Sequence, residues 1–339
     1  MERTLERLIA WMHIDSTSGQ EAATLRALET DLTGRGFEVV RQEVDGPERW
    51  NIVATRTASP DVLLCTHVDT VPPFIPPRRE GGTIWGRGAC DTKGILAAMM
   101  AAWDQLAVDA PALADRVGFL LVVGEEVDHC GAAQAARLGL RPKRIILGEP
   151  TEAMMAVGQK GILKVRMKAC GHAGHSAYPE GKPSANHRLV EGLGALLAGT
   201  WPDDDALGAT TVNIGELRGG VAANVIADAA EAILLYRTVS DETVLFGLVE
   251  QVAEAHAVEV ENVISSPAQR FDAPEGFETC VVRFNTDAAW LTALGPVWLV
   301  GPGDIKLAHS EHERITVAEL EAGVAIYGQL IRLALGAGE

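Results

Sequence analysis

The sequence contains no CxxC pair, and its five cysteines (Cys65, Cys90, Cys130, Cys170 and Cys280) are odd in number and widely spaced. Neither a disulfide framework nor a zinc knuckle is indicated, and the thiols read as mostly small, buried hydrophobes. Clusters of lysine or arginine are absent and the formal net charge is −17, which argues against a partner whose phosphates must be neutralised, such as DNA or RNA. There is no low-complexity stretch and no internal repeat. Apolar runs such as GFLLVVG (118–124) are far too short to span a bilayer. The opening MERTLERLIAWMHI carries charges throughout and reads as an amphipathic helix, not a signal peptide. The expectation is a cytoplasmic protein that binds neither nucleic acid nor membrane.

What is present is ordinary for a globular chain: 47% hydrophobic and 22% charged residues in a length of 339, enough for two domains. A helix is expected to Met12. A second should start after Ser18, with Ser18 as N-cap and Glu21 as its capping-box partner, and end at Gly34 and Gly36. FEVVRQEV and NIVATR alternate like strands, whereas DVLLCTH, VGFLLVVG and KRIILGEP are near-continuous apolar runs, the pattern of strands buried on both faces. Helical GILAAMMAAWDQLA and GAAQAARLGL lie between them. Such alternation specifies an α/β sheet with helices on both faces. After Gly161 half-exposed strands (ILKVRMKACG, AAEAILLYRTV) flank helical segments, which suggests a small α+β insert. From Ser265 the α/β texture resumes, with TDAAWLTALG helical, PVWLVGPG a strand and ITVAELEAGVAIYGQLIRLALG the closing helix. The expected organisation is therefore a mixed-sheet catalytic domain (1–161 and 264–339) interrupted by a smaller α+β domain (162–263).

Ligands of open α/β sheets collect beyond the carboxyl ends of the strands. His67 and Asp69 follow one expected strand, Glu125 and Glu126 a second, Glu149 a third and His309 a fourth, while Asp91 opens a helix. So many carboxylates in one cleft need protons or divalent cations to offset their repulsion. Nitrogen and oxygen donors without thiolate suit zinc, cobalt or manganese. Each piece has a bland reading: a lone Asp before a helix is usually an N-cap, and a Glu pair after a strand is usually solvated. Their recurrence at successive strand ends favours a site with two cations sharing a carboxylate.

HVDTVP (67–72), GRGACDTKG (86–94), GEE (124–126), GEPT (148–151) and GHSAYP (174–179) together resemble the M20 family of dinuclear metallopeptidases and deacylases. Within it, GVAANVIADAAEAILLYR and GPGDIKLAHS are similar to the acetylornithine and acetylcitrulline deacetylases, succinyl-diaminopimelate desuccinylases and carrier-protein lysine hydrolases. The resemblance implies two divalent metal ions, zinc or cobalt. His67, Asp91 and Glu149 would hold one, and Asp91, Glu126 and His309 the other. It implies that Glu125 is the general base and acid, and that Asp69 orients His67 from behind. The peptide bond after Asp91 is expected to be cis. The insert would be a lid and dimerisation domain, with His175 (rather than His172) polarising the scissile carbonyl of the neighbouring subunit in a homodimer. Asn224 and Arg237 match residues that bind substrate polar groups and its carboxylate, Arg237 reading equally as an exposed strand charge. Gly301 and Gly303 would shape the loop ahead of His309 and give backbone access to substrate. GEEVDHCGA departs from the family pattern, and Asp128 and His129 read as loop residues because the ligand shell is complete without them.

The expected activity is hydrolysis of an N-acyl amino acid, of the N-acetylornithine type, in arginine or lysine biosynthesis. Alternatives are release of lysine or ornithine from an acidic carrier protein, desuccinylation of diaminopimelate, and dipeptide cleavage. A non-catalytic binding protein on the same scaffold should have lost Glu125 or a ligand, and this chain keeps them all.

Overall fold

The computed structural model describes residues 1–337 and divides them into two compact units. The first comprises Met1–Val157, Phe271–Cys280 and the chain from Thr286 on; the second comprises Gly158–Arg270 and Val281–Asn285.

The sheet of the first unit follows from the apolar runs. Val62–His67 and Val117–Val122 are buried along their whole length, because helices cover both faces and no position needs to meet water. These two strands, Arg144–Leu147 and Val297–Leu299 are parallel neighbours in the spatial order Val117–Val122, Val62–His67, Arg144–Leu147, Val297–Leu299. Trp50–Thr55 and Glu38–Glu43 extend the sheet antiparallel on one side, and Met155–Gln159 on the other. The parallel block is what positions the site, since all four of its strands end at one edge.

The helix Lys93–Asp109 is apolar on every side over its first three turns and is correspondingly buried all round. It shares one core with the N-terminal helix Glu2–Met12 and the closing helix Val317–Ala334. The closing helix starts with a capping box. Thr316 Oγ1 accepts from Glu319 N at 3.1 Å, and Glu319 Oε2 accepts from Thr316 N at 2.7 Å, which satisfies two donors that a helix start leaves open. The helix Ala22–Gly34 has no such cap. Ser18, expected there, instead donates to Asp69 Oδ2 at 2.7 Å, and Glu21 is buried against Arg49 at 2.9 Å. Two further helices are shorter than expected: Cys130–Ala135 and Ala288–Leu291. Of the cysteines only Cys65 and Cys90 are buried, and Cys170 is exposed.

The second unit is a four-stranded antiparallel sheet in the order Thr211–Gly219, Ala229–Thr238, Gly161–Cys170, Val258–Ser266. Alternate residues of the central strands face one side, so Leu163, Val165 and Met167 stand opposite Tyr236, Leu234 and Ala232. The helices Ala185–Ala198 and Glu242–Ala255 cover that side through Leu189, Leu193, Leu245 and Val249. Each such fully buried side chain contributes about 1.5–3 kcal/mol relative to exposure. Thr211–Gly219 and Val258–Ser266 were not expected as strands; both are largely solvent-facing and carry little apolar alternation.

Candidate metal centre

The chain places His67, Asp69, Asp91, Glu125, Glu126, Glu149 and His309 in the first unit, in loops that leave the carboxyl edge of the parallel block or, for Asp91, at the start of the helix Lys93–Asp109. His67 Nδ1 lies 2.9 Å from the main-chain oxygen of Asp69 and 3.6 Å from its carboxylate. A carbonyl oxygen only accepts, so Nδ1 carries a proton and donates it to Asp69; Nε2, which here donates to Asp91, would offer its lone pair to a bound cation. The orienting acceptor is thus chiefly the backbone of Asp69. The Asp69 side chain binds Ser18 Oγ and accepts from Glu125 N (3.2 Å, on Oδ1) and Glu126 N (3.2 Å, on Oδ2). It fixes the Glu125–Glu126 backbone against the His67 loop.

Asp91 stands between two imidazoles. Its Oδ1 is 3.1 Å from His67 Nε2, and its Oδ2 is 3.3 Å from His309 Nε2. His309 Nε2 is also 3.0 Å from Glu126 Oε2. Ligand atoms of His67, Asp91 and Glu126 all fall within 4.8 Å of one another. The peptide bond after Asp91 is cis. Behind it, the buried Glu313 accepts from Cys90 N and Asp91 N at 3.3 Å each, and Arg87 Nη1 donates to Glu313 at 2.6 Å. Burial foremost, then the Asp91 charge, push Glu313 up to about 7 against the pull of Arg87.

Glu149 is buried and its Oε1 has no hydrogen-bond partner. Gly301 explains how its loop is held. A side chain there would sit 2.5 Å from Glu149 O and 2.9 Å from the Tyr327 hydroxyl, and at Gly303, where φ is +95°, 2.7 Å from Cys90 Cβ. The Gly301 oxygen accepts from Thr151 N and Ala153 N, and the Gly303 oxygen from Glu152 N. The two glycines therefore lash the Glu149 loop to the segment before His309, and these carbonyls are engaged inside the protein.

The electrostatics follow from crowding. Burial raises Glu125 and Glu149 well above the usual carboxylate range; neighbouring carboxylates add to this and His67 opposes it. Glu126 is raised by burial and by Asp91. Asp91 goes the other way: burial would raise it, but hydrogen bonds from His309 and His67 hold it below its ordinary value. His309, between Asp91 and Glu126, is held up to about 10. His67 is raised too, since Asp69 and Asp91 outweigh its burial. This is a concentration of buried negative charge that needs positive charge within it. The donors fit divalent cations: imidazole and carboxylate without thiolate, and a buried Glu149 oxygen with no partner of its own.

Residues that sequence reasoning passed over also lie here. His129 stands in the loop ahead of Cys130–Ala135, as expected, but is buried there, and its Nδ1 is 2.9 Å from Asp287 Oδ1 and 3.7 Å from Glu125 Oε1. Asp128 is exposed. Arg87 lies within the GRGACDTKG motif, but nothing local marks Glu313 as its partner, or Asp287 as that of His129. The other expected site residues belong to the second unit. His175 is exposed and pairs with Val225, and the backbone of Asn224 accepts from Ser176 N at 3.0 Å, which brings these two segments together. Arg237 is half-buried on the strand Ala229–Thr238, opposite Ile162 and Thr211.

An α/β sheet that ends in clustered imidazoles and carboxylates defines a metallohydrolase. A model of peptidase family M20/M25/M40 matches residues 63–333, and the chain belongs to that family. It is an enzyme of the metallopeptidase class. It is 36% identical over 375 residues to a probable carboxypeptidase of Neosartorya fischeri, covering 95% of this chain and 84% of that protein. Its fold matches the M20 metallo-carboxypeptidase of Sulfolobus solfataricus with TM-score 0.82 at 16% identity, over 99% of this chain and 100% of the other. It also matches a dinuclear metal-binding M20 peptidase of Bacillus subtilis (TM-score 0.73, 15% identity, 99% of each chain). No helix among the described residues is long and apolar enough to cross a membrane.

Proposed function

We propose that the protein is a two-metal amidohydrolase that cleaves the amide bond next to a free carboxylate, the bond shared by N-acyl amino acids and short peptides. The observation that supports this most is Asp91, a single carboxylate offering one oxygen to each of two imidazoles, with Glu126 beside it. On this reading His67, Asp91 and Glu149 would hold one divalent cation, and Asp91, Glu126 and His309 the other. Zinc or cobalt bound there supplies Lewis acidity, polarising the amide carbonyl and making a water more acidic.

Glu125 is the proposed base. It takes a proton from the attacking water and returns it to the leaving nitrogen. Its burial, which favours the protonated form, suits a carboxylate that must hold that proton between the two steps. Asp69 keeps Glu125 and Glu126 in register through their peptide N–H groups. His175 is the proposed polariser of the substrate carbonyl in a homodimer, and Asn224 and Arg237 the proposed contacts to substrate polar groups; their support is the sequence resemblance.

The substrate assignment joins two strands of support: similarity of the sequence to deacetylases of the N-acetylornithine type, and the carboxypeptidase name carried by the fungal relative. The test is amine release by chelated, then zinc- or cobalt-loaded protein. Substrates would be N-acetylornithine, N-acetylcitrulline, N-acetyllysine, succinyl-diaminopimelate, carrier-linked lysine, and di- and tripeptides. Metal-dependent cleavage of one class is expected. Glu125→Gln should keep its metal and lose turnover by about 10²–10⁴-fold; substantial turnover in that variant would remove Glu125 from the role of base.

A further inference from the structure

His129, Asp287 and Trp290 form a cluster that the two proposed metal shells do not use. His129 occupies the left-handed backbone region, at φ +56°, a conformation that a non-glycine residue adopts only at an energetic cost. Its amide, with those of Val127 and Asp128, donates to the Gly124 oxygen, so the loop after Glu125 curls back on itself. The result is an imidazole turned inward and buried. The ring stacks on Trp290 with centroids 4.4 Å apart and planes inclined by 25°. Asp287 is fully buried, and its Oδ2 has no hydrogen-bond partner.

A carboxylate only accepts, so the contact to Asp287 requires His129 Nδ1 to carry a proton. That N–H edge lies between two acidic groups, at 2.9 Å from Asp287 and 3.7 Å from Glu125. Without the ring, Glu125 and Asp287 would face each other across the emptied space. Nothing would then hold the Glu125 carboxyl on that side, and it would be free to turn away from the direction its chemistry needs. A displacement of about 1 Å in a reacting group can cost 10²-fold in rate.

We propose that His129, fixed by Asp287 and stacked on Trp290, is a positioning residue that aims the Glu125 carboxyl. The inference rests on the reading of Glu125 as the base. It assigns a use to the DHC segment that distinguishes this chain's GEEVDHCGA from the family pattern. On this reading His129 acts through Glu125.

The test compares His129→Ala, His129→Asn and Asp287→Asn in zinc-loaded protein, using the best substrate of the panel and measuring metal content, melting temperature, kcat and KM. His129→Ala should keep both metal equivalents and a KM within about threefold of wild type, while kcat falls by about 10²-fold. Asn places an amide N–H near the position of Nδ1, so His129→Asn should recover most of kcat. Asp287→Asn keeps the shape but not the anionic anchor, and should lose kcat in the same direction. The proposal is overturned if His129→Ala retains kcat within about threefold, if Asn is no better than Ala, or if the loss falls on KM. Loss of one metal equivalent would also overturn it, by making His129 a ligand. Failure of the base reading shows separately, as an active Glu125→Gln variant.

Discussion

Asp69→Asn tests how the Glu pair is held. The two carboxylate oxygens of Asp69 accept from Glu125 N, from Glu126 N and from Ser18 Oγ. An Asn of the same shape has one acceptor oxygen and one NH₂ group. If the NH₂ takes the Oδ2 place, Glu126 N loses its acceptor; if it takes the Oδ1 place, Glu125 N does. Ser18 can rotate its hydroxyl to accept, but a peptide N–H cannot. One buried N–H is therefore left facing a donor, which costs about 1–3 kcal/mol. For a cooperative unit of about 150–250 residues that corresponds to a melting shift of roughly 2–4 °C per kcal/mol. The same loss frees the Glu125–Glu126 backbone, so kcat should fall by at least about tenfold while two metal equivalents remain bound. Scanning calorimetry with metal analysis and steady-state kinetics would measure all three. A variant with unchanged melting temperature and kcat within about twofold would refute the reasoning that Asp69 clamps the pair.

Gly301→Ala should be more damaging than an exposed glycine change, because its Cβ would meet Glu149 O at 2.5 Å. Overpacking of this kind costs about 1–3 kcal/mol, and the displaced Glu149 loop should weaken metal retention; calorimetry and metal analysis after dialysis would show it. In chelated protein His309 is held up to about 10 by Asp91 and Glu126. A raised folded-state value stabilises fully below the unfolded value of about 6.5, and that stability is lost as pH rises through about 10. Melting temperature of the chelated protein should therefore fall from about pH 7 to 10, and His309→Asn should flatten that slope. An unchanged slope in the variant would contradict the pairing.

Much of the fold was legible because burial on both faces leaves a direct trace. Val62–His67 and Val117–Val122 are apolar without alternation, and each ends in polar residues at the sheet edge. The grouping of His67, Glu126 and Glu149 could thus be argued from strand ends, and that of Asp91 from the start of the helix Lys93–Asp109. What was not legible is what reaches across the chain. Ser18 looked like a helix cap because capping is a local pattern, whereas its actual partner Asp69 lies 51 residues away. Glu313 supports Asp91 from 222 residues away, and His129 meets Asp287 across 158; no local periodicity encodes such pairs. Thr211–Gly219 escaped notice because a largely exposed strand carries little apolar signal.

The central claim, two cations sharing Asp91, is tested most directly by titrating chelated protein with zinc while following bound metal and amide cleavage together. Activity should be absent without metal and rise to a plateau at two bound equivalents per chain, with Asp91→Asn binding neither tightly. Full cleavage by metal-free protein, or a plateau at a single equivalent with Asp91→Asn unaffected, would contradict the account.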